Sequence, residues 1–89
     1  MKYLKLFESL DNIHEICKKY NITNYTINSD GSIDVDGSVN LYGRNLTKLP
    51  IKFRNVSGYF DCSYNKLTSL EGSPTHVGDY FSCSINKFR

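Results

Sequence analysis

The chain has 89 residues and a formal net charge of +2, from eleven Lys and Arg against nine Asp and Glu. A chain this short forms one small domain, residues 1–89, with a marginal core. Its nearly balanced charge argues against a strongly basic nucleic-acid binder and against an acidic mimic of nucleic acid. The N-terminus carries charges every few positions and no unbroken apolar run, which excludes a signal peptide or membrane span and predicts a cytoplasmic protein.

Residue types that carry chemistry are few and scattered along the chain. Cys17, Cys62 and Cys83 form no Cys-x-x-Cys pair and have no histidine beside them, so we expect reduced core residues and no metal site. A disulfide between Cys62 and Cys83 is the alternative, which a cytoplasmic location disfavours. His14 and His76 lie in unrelated segments, and no nucleophile is paired with a base. We therefore expect no enzymatic activity, no cofactor and no metal.

Residues 1–21 predict a helix that acts as an N-terminal cap. Ser9 or Asp11 would cap its first amides, and Asn21 would end it in the left-handed conformation. A helix with one apolar stripe must pack on something, and we expect it to cover the first unit of the repeat that follows. The stripe has the spacing of three and four residues that is typical of an amphipathic helix, at Leu6, Leu10, Ile13, Cys17 and Tyr20.

Residues 22–42 alternate apolar and polar side chains around two Asp-Gly dipeptides, at positions 30–31 and 36–37. Such alternation predicts short strands that are joined by tight turns. The segment from Ser32 also matches the first positions of a calcium-binding EF-hand loop, but Gly43 stands where that loop needs a bidentate Glu. We therefore interpret these aspartates as turn residues.

The sequence contains one complete copy of a 21-residue repeat, followed directly by a second, incomplete copy. Residues 56–67 (VSGYFDCSYNKL) are followed in register by residues 77–88 (VGDYFSCSINKF), and a fainter copy begins at Val35. A fixed period of this size indicates a repeat architecture. When the copies are aligned with the leucine-rich-repeat consensus, Asn65 and Asn86 fall where an amide turns into the bend and satisfies buried backbone groups.

Residues 62–70 (CSYNKLTSL) resemble the short leucine-rich repeats of bacterial effector proteins, and more closely a group of small phage and phage-like bacterial proteins. In that group a helix ending in Ile-Cys-Lys-Lys-Tyr precedes an Asp-Gly-rich region and copies of a Cys-Ser-x-Asn-Lys-Leu-Thr-Ser-Leu-Glu-Gly-x-Pro repeat. The matching segments here are residues 16–20 (ICKKY) and 67–74 (LTSLEGSP). The resemblance implies a phage setting and the cytoplasm of the host, and it carries over no catalytic residue.

Together these features predict an α+β fold in which the N-terminal amphipathic helix caps a short leucine-rich-repeat-like β-solenoid. The solenoid would have about three 21-residue rungs within residues 35–89. Nothing follows Arg89 to cover the last rung, whose strand would expose unpaired backbone groups together with Phe81 and Phe88. We expect this edge to form a homodimer through the C-terminal rung, or to be reserved for the target protein.

Side chains that flank the inward-facing pair of each copy form columns along one strand face. Stacked strands of this kind are a recognition surface, and Tyr offers a large contact area with few rotatable bonds. The alternative is that the tyrosines only cover the edge of the core. The residues assigned to partner binding are Tyr42, Tyr59, Asp61, Tyr80 and Ser82.

A second candidate surface is a basic patch formed by Arg44, Lys48, Lys52 and Arg54, in a stretch without acidic residues. Its simplest interpretation is a solvated face. The alternative is contact with an acidic partner or a nucleic-acid backbone, with Tyr42 and Tyr59 as stacking platforms.

The sequence therefore favours a non-enzymatic protein–protein interaction module, encoded by a phage, that inhibits or modulates a host defence protein. Two alternatives stay open. The first is a small RNA- or DNA-binding protein that uses residues 44–54, and the second is a virion or scaffold component.

Overall fold

A computed structural model describes residues 12–87. Residues 12–19 form helix α1. Seven short strands follow: β1 Tyr25–Ile27, β2 Ile33–Val35, β3 Val39–Asn40, β4 Phe53–Val56, β5 Phe60–Asp61, β6 His76–Val77 and β7 Phe81–Ser82. The predictions made for Leu6, Ser9, Leu10, Asp11 and Phe88 lie outside the described residues.

Helix α1 ends as the sequence predicts, at a left-handed asparagine. Asn21 has φ 57°, and its N–H donates to Lys18 O at 3.3 Å while Ile22 N–H reaches back to Cys17 O at 2.8 Å. This pair of bonds is the Schellman motif, which satisfies carbonyls left free in the last turn. Cys17 and Ile22 are both buried, so the motif also turns the chain into the core.

The strands form two sheets, one of four strands in the order β1-β2-β4-β6 and one of three in the order β3-β5-β7. Strands β1 and β2 are an antiparallel hairpin, whose turn contains Gly31 at φ 87°. Asp30 Oδ1 accepts hydrogen bonds from the N–H and Oγ–H of Ser32, so the turn predicted at residues 30–31 is confirmed. Gly37, by contrast, lies where the chain leaves one sheet and enters the other.

All remaining strand pairs are parallel, and they join residues one repeat apart except at Ile33, which pairs with Phe53 before a shift in register. Val39 pairs with Phe60 and Phe60 with Phe81 in the three-stranded sheet, while Val56 pairs with Val77 in the four-stranded sheet. The copies approach so closely that a Cβ at Gly78 would lie 2.1 Å from the carbonyl oxygen of Ser57. The repeat therefore fixes the register of the parallel strands.

The predicted leucine-rich-repeat-like β-solenoid is wrong, whereas the α+β class is confirmed. Residues 12–87 form a compact fold with one helix, one mixed sheet and one parallel sheet. The strands of the repeat are only two to four residues long, and each copy divides its strands between the two sheets. The hairpin β1–β2 adds an antiparallel pair that no coil of equivalent rungs contains.

A single core joins the helix to both sheets. Its members include Ile13 and Cys17 from α1, Phe53 from the four-stranded sheet, and Phe60 and Leu67 from the repeat. The Phe53 and Phe60 rings meet edge to face, with centroids 5.0 Å apart. Within residues 12–87, no helix has the length and apolar character needed to cross a membrane.

Candidate functional site

Tyr59 and Tyr80 form a stacked tyrosine pair directly before strands β5 and β7. Parallel pairing of these strands places the two residues side by side, one repeat apart. Their rings are 4.9 Å apart between centroids and only 3° from parallel, and Tyr80 remains 50 % exposed. The arrangement gives the surface a flat aromatic face whose orientation is already fixed.

The surroundings of the Tyr80 hydroxyl raise its pKa and so favour the neutral phenol. The pKa of the Tyr80 hydroxyl is raised, first because its surroundings shield it from water and then because Tyr59, Asp61 and Asp79 lie nearby. A neutral phenol can both donate and accept a hydrogen bond. The backbone supports the pair as well, because Tyr59 N–H donates to Ser38 Oγ at 3.0 Å.

Asp61 and Ser82 lie next to each other in the sheet, as the repeat predicts, but their side chains are partly engaged within the protein. Asp61 Oδ1 accepts from Ser63 N–H at 2.9 Å, and the Ser63 and Ser82 hydroxyls are 2.6 Å apart. Both residues are half-buried. These bonds fix the ends of strands β5 and β7, and they leave the polar groups of Asp61 and Ser82 less free for contact with a partner.

Tyr42 forms a second aromatic surface, the tilted tyrosine pair, with Tyr64. Their ring centroids are 4.9 Å apart at an angle of 42°, and the two residues are 51 % and 53 % exposed. Tyr64 was not predicted at this surface, because it lies beyond the alternating residues of the strand that define the binding face. Its φ of 59° matches that of Gly43, its equivalent one repeat earlier, at 63°, so that glycine was the available signal.

The four residues of the basic patch do not form one free cationic surface. Arg54 makes a bidentate ion pair with Asp34, at 3.1 and 2.7 Å, and Lys52 Nζ lies 3.3 Å from Asp30. The guanidinium of Arg44 lies over the ring of Tyr20, 5.6 Å from its centroid. Lys48 lies instead along a shallow groove that it shares with Lys52 and Glu71.

The pKa values of the two carboxylates in these ion pairs are lowered. The pKa of Asp34 is lowered, chiefly by the hydrogen bond from Arg54, and the pKa of Asp30 lies well below its usual range because of Ser32 and then Lys52. Two of the four predicted cations are thus compensated by carboxylates, which reduces the charge available to a phosphate backbone.

The outer face of the four-stranded sheet carries a polar row that the sequence did not single out. Thr26, Asp34, Asn55 and His76 are paired across successive strands and line an open groove of about 460 Å³. The Asp34 carboxylate in this row is already bonded to Arg54 and Asn55. The hydrogen bonds of this row therefore act first to link strand β2 to strand β4.

The predicted oligomer edge is represented in the described residues by Phe81. It is 38 % exposed and packs on Phe60 with ring centroids 5.3 Å apart. Its partner in that prediction, Phe88, lies outside the described residues. Phe81 therefore forms the exposed end of an aromatic stack that begins in the core.

The three thiols are free, with Cys17 and Cys62 buried and Cys83 half-buried. Burial raises the pKa of the Cys62 thiol to about 11. Between residues 12 and 87, no three His, Cys, Asp or Glu side chains lie close enough together to hold a metal ion.

No protein-family model, no curated protein and no solved structure matches this chain.

Proposed function

We propose that this protein is a non-enzymatic protein–protein interaction module that binds its partner through the stacked tyrosine pair. The observation that supports the proposal is the parallel stacking of the Tyr59 and Tyr80 rings, in which Tyr80 stays half-exposed. Tyrosine is enriched among the few side chains that dominate the binding energy of interfaces, and its ring offers a large and rigid contact area.

The stack lowers the entropic cost of binding. An isolated surface tyrosine loses rotamer freedom when a partner immobilises it, at about 0.5–1.5 kcal/mol for a mobile side chain. Here each ring already limits the motion of the other. The tilted tyrosine pair, Tyr42 with Tyr64, would offer a second contact of the same chemistry.

For the partner we propose a host protein, with this chain acting as a phage-encoded inhibitor or modulator of host defence. The resemblance of residues 16–20 and 62–74 to small phage proteins supports that setting. Nucleic-acid binding is less well supported, because Lys52 and Arg54 are paired with Asp30 and Asp34. A virion or scaffold role would place the same tyrosines at a contact with a phage protein.

The test is capture of a partner from bacterial lysate on the immobilised protein, followed by affinity measurements with the purified partner. We expect Tyr59→Ala and Tyr80→Ala each to weaken binding by about tenfold or more, the effect of removing an interface hot spot. Thr26→Ala is the matched control, since Thr26 is exposed on the other sheet, and it should bind as the wild type does.

Three results would count against the proposal. The first is the absence of any stoichiometric partner, and the second is a partner that binds both tyrosine variants as tightly as the wild type. The third is capture that nuclease treatment abolishes and that weakens steeply with salt, which would indicate nucleic-acid binding instead.

A further inference from the structure

Backbone donors are left facing outward at the β7 edge of the three-stranded sheet. In each earlier copy, three alternate N–H groups donate to carbonyls of the next copy. The N–H groups of Val39, Leu41 and Gly43 donate to the carbonyls of Tyr59, Asp61 and Ser63, respectively. Those of Phe60, Cys62 and Tyr64 donate in the same way to the carbonyls of Tyr80, Ser82 and Ser84. The equivalent donors in the last copy are Phe81, Cys83 and Ile85, and no residue within 12–87 accepts from them.

Strand β7 is short, with two residues, but residues 80–86 of this edge lack the other common protections of an exposed strand. Proteins usually blunt such an edge with charged side chains or proline. Here Ser82 stands where the preceding copy has Asp61, and Ile85 stands where it has Tyr64. Residues 80–86 (YFSCSIN) carry no charged side chain, while Phe81 and Ile85 are 38 % and 63 % exposed. The edge is therefore suited to being covered.

We propose that strand β7 pairs with β7 of a second copy of this chain, antiparallel and about a twofold axis at Ser82. The outward N–H and C=O groups of Phe81 then meet those of Cys83 in the other copy. The two Ser82 residues face each other as a non-hydrogen-bonded pair, with Cα atoms about 4.5 Å apart. The three-stranded sheets of the two copies become one continuous sheet.

A second copy fits this edge better than a different partner does. A twofold axis at Ser82 places this residue opposite its own counterpart and the neighbouring residues of the segment opposite one another, and like charges placed directly opposite are destabilising. The neutral segment 80–86 meets that condition, and it offers no charge complementarity to a charged partner. A twofold pairing also closes the assembly, whereas head-to-tail pairing of β7 with the exposed Asn40 on the β3 edge would extend it into a ring or a filament.

Cross-linking at the axis is the sharpest test. Cα atoms about 4.5 Å apart lie within the range of about 4.4–6.8 Å that a disulfide spans. We expect Ser82→Cys to form a covalent dimer under mild oxidation, with the 82–82 linkage identified by mass spectrometry of the non-reduced protein. The matched control is Asp61→Cys, at the same repeat position on the interior strand β5, which should stay monomeric on a non-reducing gel.

Sedimentation equilibrium supplies an independent measurement on the unmodified chain. We expect a concentration-dependent dimer that Phe81→Lys weakens by about thirtyfold or more, because the twofold axis places the substitution in the interface twice. Tyr42→Lys, at an exposed aromatic that follows β3 on the opposite side of the sheet, should leave the dimer intact. Circular dichroism confirms that each variant is folded, and if Phe81→Lys is not, the cross-linking result decides.

A wild-type chain that stays monomeric across the concentration series would overturn the proposal. So would equal cross-linking of Ser82→Cys and Asp61→Cys. The outcome is independent of the proposed partner binding, because Tyr59→Ala alters the stacked tyrosine pair and leaves the backbone groups of β7 unchanged.

Discussion

Asn65 shows how one buried side chain joins two copies of the repeat. The residue is 7 % exposed, and its Oδ1 accepts from the N–H groups of Arg44 and Leu46 at 3.0 and 2.9 Å. Its Nδ2 donates to the carbonyls of Leu41, Cys62 and Ser63. A single amide thus satisfies backbone groups that water does not reach, which is the role the sequence predicts for it.

We expect Asn65→Ala to lower the free energy of unfolding by about 2–4 kcal/mol, because several buried backbone groups lose their partner at about 1–3 kcal/mol for each such group. Urea unfolding followed by circular dichroism measures the change. Asn86→Ala is the control, since Asn86 makes the equivalent bonds from a half-buried position. Asn86→Ala should lower the free energy of unfolding clearly less than Asn65→Ala does. Equal losses would show that burial is not the reason for the effect.

At the scale of elements, the Asp34 carboxylate braces strand β2 against β4. It accepts two hydrogen bonds from Arg54, at 3.1 and 2.7 Å, and two from Asn55, at 3.2 and 2.9 Å. The pKa of Asp34 is lowered by Arg54 first and by Asn55 as well. Because the folded state holds this group ionised below its unfolded pKa, its contribution to stability depends on pH.

We expect the stability of the wild type to be maintained above the unfolded pKa of about 3.9 and to fall as pH drops through the lower folded value. Asp34→Asn should be less stable than the wild type at neutral pH, and the difference should shrink in acid. The midpoints of urea unfolding of both proteins, determined at several pH values from neutral to acidic, give this difference in stability. A constant difference at every pH would show that the effect comes from packing rather than from the charge.

The elements differ in how far the sequence could predict them. The left-handed Asn21, the turn at Asp30 and the parallel register were predictable because each depends on local chemistry or on the 21-residue period. The division into two sheets was not, since the repeat does not reveal where each short strand finds its neighbours. The acids that pair with Lys52 and Arg54 were missed for a related reason. They lie 22 and 20 residues earlier in the chain, outside the acid-free stretch that contains the basic patch.

The candidate binding residues were likewise predictable only in part from the repeat. The period predicts that Tyr59 and Tyr80 are neighbours, but the 3° angle between their rings follows from packing that no spacing encodes. The prediction that Asp61 and Ser82 share the binding surface missed their bonds to Ser63, because those bonds depend on how the chain bends after each strand.

At the scale of the whole molecule, the helix and the sheets share one core. Cys17 in α1 and Cys62 after β5 are both 0 % exposed and belong to the same cluster, although forty-five residues separate them in the chain. In a domain this small, a shared core implies that the parts unfold together. The two thiols can report whether they do.

We expect Cys17 and Cys62 to become reactive only through opening of the whole molecule, and therefore at matching rates. Burial raises the pKa of both thiols, that of Cys62 to about 11, so little thiolate forms at neutral pH even before access is considered. Cys83 is half-buried and should be alkylated first. Pulsed alkylation with mass spectrometry, repeated at increasing urea, gives the three rates. Those of Cys17 and Cys62 should rise in parallel with the unfolded fraction. If Cys17 were labelled much faster than Cys62, helix α1 would be detaching on its own and the single cooperative core would be wrong.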